Sequence, residues 1–141
     1  MSSTAASAAA AVEISNAVAR VHKARLGRGP ELVRTTIDGD LVVCLLEGGS
    51  TIAEQTLASV GRTELIAERR AALDRALESE LSQMVGETLR RPVRSAMSSL
   101  DQRTGLHALI FVLGPPAAGR APGVYAGGGQ NNSRNSSRSM I

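Results

Sequence analysis

The stretch that decides the fold is LVRTTIDGDLVVCLL, residues 32–46. Its first half alternates β-branched and other side chains, the pair Asp38-Gly39 is typical of a tight turn, and its second half is aliphatic apart from one cysteine. This order predicts a β-hairpin with strands Leu32–Ile37 and Leu41–Leu46. Because the second strand is apolar at every position, we expect it to be central in a sheet or covered on both faces.

A second hairpin is predicted over residues 93–113. Val93–Leu100 favours a strand, Asp101–Gly105 favours a turn, and Leu106–Leu113 is a second, nearly uninterrupted apolar strand. Two such hairpins can join edge to edge into one antiparallel sheet.

Apolar residues at helical spacing predict a first helix over about Ala8–Arg25. Gly27 follows it, and glycine readily adopts the left-handed conformation that ends a helix. Thr51 and Glu54 form the pattern of a capping box, which predicts a short helix over Ile52–Val60.

A longer helix is predicted after Gly61, with Thr63 as its cap. Its apolar residues recur along one stripe and consist of Ile66, Leu73, Leu77, Leu81, Val85 and Leu89. Its charged residues mix both signs at short spacing, and we interpret them as a solvated face. This face comprises Glu68, Arg69, Arg70, Asp74, Arg75, Glu78 and Glu80.

These elements predict an α+β fold with two layers, in which an antiparallel sheet of two β-hairpins packs against helices in the order α-ββ-α-α-ββ. We expect a flexible N-terminus at residues 1–11, one domain at residues 12–114, and a disordered Gly/Ser/Asn/Pro tail at residues 115–141. The apolar strands also suggest that a partner chain covers the other face of the sheet, as in a homodimer.

Charge and aromatic content weigh against nucleic acid as a partner. Three of the 16 basic residues, Arg120, Arg134 and Arg138, lie in the predicted tail, which leaves 13 basic against 13 acidic residues in the body. Only Phe111 and Tyr125 could stack on bases. Binding of nucleic acid by the arginine-bearing tail remains an alternative.

Cysteine usage and hydropathy indicate a cytoplasmic protein. Cys44 is the single cysteine, so the sequence offers no internal disulfide, and its aliphatic neighbours favour a buried apolar role. No stretch reaches the roughly 18 apolar residues of a membrane span, and residues 1–11 lack the basic and aliphatic parts of a signal peptide. We therefore expect no membrane insertion.

No residue pattern marks a catalytic centre or a cofactor site, and we expect the protein not to be an enzyme. His22 and His107 are the only histidines, and neither has a second His or Cys at metal-ligand spacing, so no metal site is predicted. We interpret His22 as a helix-surface residue. Arg28, between Gly27 and Gly29, is a candidate for binding an anion, with a helix stop as the alternative.

Three segments together resemble the MpsC-like family, which is named for the C component of a sodium-translocating, membrane-potential-generating system. The segments are ISNAVARVHKARLGRGP at 14–30, VVCLLEGG at 42–49 and TIAEQTL at 51–57. The similarity extends over about residues 12–113. Ser50 and the SSLD stretch at 98–101 depart from the family pattern.

The resemblance implies an association with membrane systems for ion or inorganic-carbon uptake, and it supplies no catalytic residues. We therefore expect a non-enzymatic accessory or regulatory module that acts by protein–protein contact, with a membrane-transport protein as a candidate partner. The alternative is a small-ligand-binding domain that uses His22, Arg28 and Glu47, which lie in the segments resembling the family.

Overall fold

The computed structural model describes residues 2–116, with side chains from residue 5 onward, and has the predicted element order. The fold combines three helices with one four-stranded antiparallel sheet, so the predicted α+β fold is confirmed. The elements are α1 (Ser2–Leu26), β1 (Leu32–Asp38), β2 (Leu41–Glu47), α2 (Ile52–Ser59), α3 (Thr63–Leu89), β3 (Val93–Asp101) and β4 (Leu106–Leu113).

Helix α1 begins at Ser2, six positions before the predicted start at Ala8. The added residues are serines, alanines and one threonine, and alanine has the highest helix propensity of all residues although it gives no amphipathic period. The predicted stop is confirmed: Gly27 has φ +83°, and its amide donates to the Lys23 carbonyl at 3.0 Å.

The first hairpin has a two-residue turn at Gly39 and Asp40, because Asp38 still pairs with Leu41. Gly39 has φ +62°, which suits the first central position of such a turn. The turn thus lies one residue later than the predicted Asp38-Gly39 pair, and the strand extends through Asp38.

The two hairpins join through their apolar strands, giving the strand order β1-β2-β4-β3. In this register Val43 pairs with Ile110 and Cys44 with Leu109. Both apolar strands are therefore central in the sheet, which confirms the central position predicted for β2.

The core lies between the helices and one face of the sheet. On this face Cys44 and Val42 are fully buried, and the thiol accepts a hydrogen bond from the Thr35 hydroxyl at 3.4 Å. The expectation of a buried, apolar Cys44 is confirmed, and burial raises the pKa of its thiol. The core residues are Ile14, Val18, Val21, Val42, Cys44, Leu46, Leu77, Leu81, Val85, Leu109, Phe111 and Leu113.

The opposite face of the sheet, which we call the open face, also has an apolar centre. Strand alternation places Leu41, Val43, Leu45, Ala108, Ile110 and Val112 there, on the two central strands. Met97 on β3 and Leu32 on β1 share this face and are 52% and 48% exposed. That a partner chain covers the open face stays a prediction.

The start of α3 differs from the prediction. Thr63 is its first residue, the N-cap is Arg62, and the N-cap makes no side-chain hydrogen bond. The capping box of α2 is confirmed: the Glu54 amide donates to the Thr51 hydroxyl at 3.2 Å, and the Thr51 amide donates to the Glu54 carboxylate at 3.0 Å.

The division into segments 1–11, 12–114 and 115–141 stays a prediction, and the tail lies outside the described residues apart from Pro115 and Pro116. The same holds for the tail-based nucleic-acid alternative. Between residues 2 and 116, none of the helices combines the length and the apolar character that a membrane crossing requires.

Candidate functional site

Polar side chains gather in the interior where α1, α2 and α3 meet one end of the sheet. They line a cavity of about 120 Å³, which we call the interior pocket. Its polar lining includes His22, Arg28, Glu54, Arg70 and His107. All of these except Arg28 are buried, and the burial of ionisable groups is costly unless they are paired, so their partners decide what the site can do.

Two of the three predicted ligand-binding residues, His22 and Arg28, line this pocket. The third, Glu47, lies on the open face, and its carboxylate is 3.8 Å from the Arg34 guanidinium. The structure therefore brings His22 and Arg28 together without Glu47. Their role in ligand binding stays a prediction, as does the absence of catalysis.

A buried ion pair joins α2 to α3 at the pocket. Arg70 donates from Nε to Glu54 Oε2 at 2.7 Å and from Nη2 to Glu54 Oε1 at 2.9 Å. Its Nη2 also donates to the Gly49 carbonyl. The interpretation of Arg70 as part of a solvated face is wrong, because Arg70 is 6% and Glu54 2% exposed.

Arg69 adds a second cation to this pair. Its Nη1 lies 3.3 Å from Glu54 Oε2 and donates to the Thr51 hydroxyl at 2.8 Å. Glu54 thus serves as capping residue of α2 and as anchor for two arginines of α3. This network fixes the two helices relative to each other.

Burial raises the pKa of Glu54. The hydrogen bonds from Arg70 and the Thr51 amide, together with the charges of both arginines, lower this pKa by more than burial raises it. The net result is a pKa below the ordinary value. Because the pKa is lower in the folded state than in the unfolded chain, ionised Glu54 stabilises the fold above about pH 4.3. This contribution is lost as the pH falls through the folded-state pKa.

We predict that Glu54→Gln lowers the free energy of unfolding at neutral pH. The difference in unfolding free energy between this variant and the wild type, which we call the deficit, should become smaller below about pH 4.3. Urea unfolding of both proteins at several pH values between neutral and about 3 measures the deficit. Glu78→Gln on the exposed face of α3 is the control and should follow the wild type throughout. A deficit that does not change with pH would contradict the role of the Glu54 charge.

His22 is buried at 2% exposure, so its interpretation as a helix-surface residue is wrong. Its Nδ1 lies 2.9 Å from the Val18 carbonyl, one turn earlier in α1, and the bond requires the proton on Nδ1. Burial lowers the pKa of His22, although this bond opposes the change. His22 is therefore a neutral imidazole near pH 7, with the lone pair on Nε2.

His107, at the start of β4, is 3% exposed and lies beside Asp74 of α3. Its Nε2 is 2.9 Å from Asp74 Oδ2, which also accepts from the Ser98 hydroxyl at 2.8 Å. Burial raises the pKa of Asp74, but these bonds and the charge of His107 lower it below its ordinary value. The expectation that Asp74 belongs to a solvated face is also wrong, since its side chain is 11% exposed.

The two imidazole rings lie with their centroids 6.1 Å apart, edge to face. Together with Asp74 they form what we call the histidine cluster, in which one possible ligand atom from each residue lies within 4.8 Å of the others. These histidines are far apart in the sequence, because His22 belongs to α1 and His107 to β4, so their spacing did not indicate a shared site. The sheet order and the packing of α1 bring them together.

A larger cavity of about 390 Å³ lies between α3 and β3. Arg70 lines both cavities, and Asp74 and Ser98 line the larger one. The histidine cluster and the buried ion pair thus lie between two spaces that could admit a small molecule or ion. The alternative of a small-ligand-binding domain stays a prediction, and these two cavities are where such a ligand could bind.

The chain matches a protein family. Neither the curated proteins nor the solved structures contain a match to this chain. Residues 8–114 match the family described as "Na+-translocating membrane potential-generating system (MpsC)". This range covers every element from β1 to β4 and most of α1, and it agrees with the resemblance found in the sequence. The chain belongs to the MpsC family.

Proposed function

We propose that this chain is a non-enzymatic accessory or regulatory module of a Na⁺-translocating membrane system and that it acts by protein–protein contact. The family description supports the link to such a system. The absence of a spanning helix among residues 2–116 supports an accessory position rather than that of a carrier. The observation that carries the proposal is the apolar centre of the open face.

The open face has the anatomy of an interface. Its apolar centre is surrounded by polar and charged residues at the corners of the sheet, and a central apolar patch with a polar rim is typical of protein contacts. On the two edge strands the rim comprises Arg34, Thr36, Asp38, Ser95, Ser99 and Asp101.

The occupant that we propose for the open face is a second copy of this chain. The rim carries both signs of charge, with Arg34 against Asp38 and Asp101, so two copies can meet without a uniform repulsion. A two-fold dimer places the same patch on both subunits and requires such self-complementarity. Sheet-on-sheet packing would bury the side chains of both central strands.

We predict that the full chain is a dimer in solution and that Ile110→Lys weakens dimerisation at least about 100-fold. Ile110 lies on a central strand between Val43 and Met97, so the substitution would place a charge in the middle of the contact. An unpaired charge buried at an interface costs several kcal/mol. Sedimentation equilibrium over a wide concentration range measures the dissociation constant.

Thr36→Lys is the matched control, because Thr36 lies in the same row of the open face but on the edge strand. A rim charge should change the dissociation constant only a few-fold. Circular dichroism melts verify that both variants fold. A wild-type chain that stays monomeric up to millimolar concentration, or an Ile110→Lys variant that still dimerises normally, would contradict the proposal.

The membrane link has its own test. The full chain, purified from detergent-solubilised membranes of its native host, should bring with it a subunit of a Na⁺-translocating membrane protein. Recovery of soluble proteins alone would refute the link, and the result for the dimer would be unaffected.

A further inference from the structure

The histidine cluster contains two buried nitrogen atoms that have no partner. Within residues 5–116, neither His22 Nε2 nor His107 Nδ1 makes a hydrogen bond. Both residues are at least 97% buried. A buried polar atom without a partner destabilises a protein, and two of them on adjacent rings point to a ligand that satisfies them.

His22 has the geometry of a metal ligand. Metal-binding histidines usually donate the N–H of one ring nitrogen to a carbonyl or carboxylate, which directs the lone pair of the other nitrogen at the metal. His22 makes this bond from Nδ1 to the Val18 carbonyl at 2.9 Å, so its unpaired Nε2 carries the lone pair.

Asp74 and His107 complete a set of two imidazoles and one carboxylate. The Asp74 carboxylate accepts from the Ser98 hydroxyl at 2.8 Å, and its Oδ2 lies 2.9 Å from His107 Nε2. Each residue comes from a different element, namely α1, α3 and β4, so a bound ion would connect three parts of the fold.

We propose that His22, His107 and Asp74 bind a divalent first-row transition-metal ion, with Zn²⁺ as the probe of first choice. Two imidazoles with one carboxylate are the ligand set of open sites for Zn²⁺ and Fe²⁺. Mg²⁺ and Ca²⁺ prefer six or more oxygen ligands, which this cluster does not offer. This inference goes beyond the proposed function and does not depend on dimerisation.

The geometry requires the ligand atoms to move closer together. Bonds of about 2.0–2.2 Å in a tetrahedral site place two ligand atoms about 3.4 Å apart. The three candidate atoms lie within 4.8 Å of one another, so the widest pair has to approach by at most about 1.4 Å, which side-chain rotation can supply. The interior pocket, which both histidines line, provides the route of entry and space for a fourth, non-protein ligand.

The test uses untagged, chelator-treated full-length protein, because a histidine tag would itself bind the metal. Calorimetric titration with Zn²⁺ should give one ion per chain, and the melting temperature should rise with Zn²⁺ concentration. Mg²⁺ at the same concentration should produce neither effect. Fewer than about 0.1 ions bound per chain at saturating Zn²⁺ would overturn the proposal.

NMR of the histidine side chains identifies the ligands without any substitution. The chain has two histidines, so long-range ¹H–¹⁵N spectra contain only four ring-nitrogen signals. One equivalent of Zn²⁺ should shift Nε2 of His22 and one ring nitrogen of His107, with both rings saturating together. A shift of only one ring, or of neither, would overturn the proposed site.

Substitutions supply the third measurement. His22→Gln and Asp74→Asn should each weaken Zn²⁺ binding at least about 10–100-fold. Asp40→Asn, in the exposed turn between β1 and β2, makes the same carboxylate-to-amide change and should bind Zn²⁺ like the wild type. Binding with wild-type affinity by a folded His22 or Asp74 variant would overturn the proposal, and if neither variant folds, the NMR result for the wild type decides.

Discussion

Arg70→Leu is expected to lower the free energy of unfolding by about 3–5 kcal/mol, because it leaves the buried Glu54 carboxylate without its main partner. Glu54 is 2% exposed and accepts two hydrogen bonds from Arg70, at 2.7 and 2.9 Å. The substitution also removes the donor to the Gly49 carbonyl. Leucine has a similar apolar stem, so the loss reflects the ion pair more than an altered packing volume.

Urea unfolding at pH 7 measures this effect, and Arg62→Leu is the matched control. Arg62 pairs with Glu64 at 2.6 Å, but the side chains are 54% and 57% exposed, so water replaces the lost contact. The control should cost less than about 1 kcal/mol. A double variant, Arg70→Leu with Glu54→Leu, should be more stable than Arg70→Leu alone, because no charge remains buried. A cost for Arg70→Leu similar to that of the control would show that Glu54 is solvated.

Local patterns predicted the elements of this fold well. The alternation and turn of the first hairpin, the capping box at Thr51 and the apolar stripe of α3 depend on residues close in sequence, whose preferences act over one or two turns. The hairpin turn was off by one residue because Asp38-Gly39 and Gly39-Asp40 are both acceptable turn pairs. Only the cross-strand register, with Asp38 opposite Leu41, distinguishes them.

The burial of Arg70 and Asp74 was not predicted, and the reason is the pattern of residues in α3. Arg70 and Asp74 occupy positions at helical spacing from Leu77 and Leu81, so they belong to the inward stripe of α3. Their charge, beside neighbours of both signs, indicated a solvated face instead. The inward position was visible in the sequence, but their partners on α2 and β4 were not.

The same holds for the two histidines. His22 follows Val18 by one helical turn, and His107 precedes Leu109 by two residues of a strand, so both lie at inward positions. Nothing local shows that α1 passes over the start of β4. That proximity follows from the strand order β1-β2-β4-β3, which places β4 next to β2 beneath the helices.

Phe111→Ala is expected to lower the free energy of unfolding by about 3–5 kcal/mol, which is the usual cost of removing a buried phenylalanine ring. Phe111 is 2% exposed, lies on the central strand β4, and pairs with Val42 and Ala96. The chain contains a single phenylalanine, and the aliphatic residues around it cannot easily fill the space of the ring. The larger cavity already borders Phe111, so the substitution would enlarge an existing void.

Val112→Ala, one residue later, tests whether the helix-facing side of β4 carries the core. Val112 lies on the open face and is only half-buried in the single chain, so its truncation should cost about 1 kcal/mol or less when unfolding is measured at low protein concentration. The cost should rise at high concentration if the open face is covered in a dimer, because the valine is then buried. A larger cost for Val112→Ala than for Phe111→Ala at low concentration would mean that β4 packs its other face against the helices.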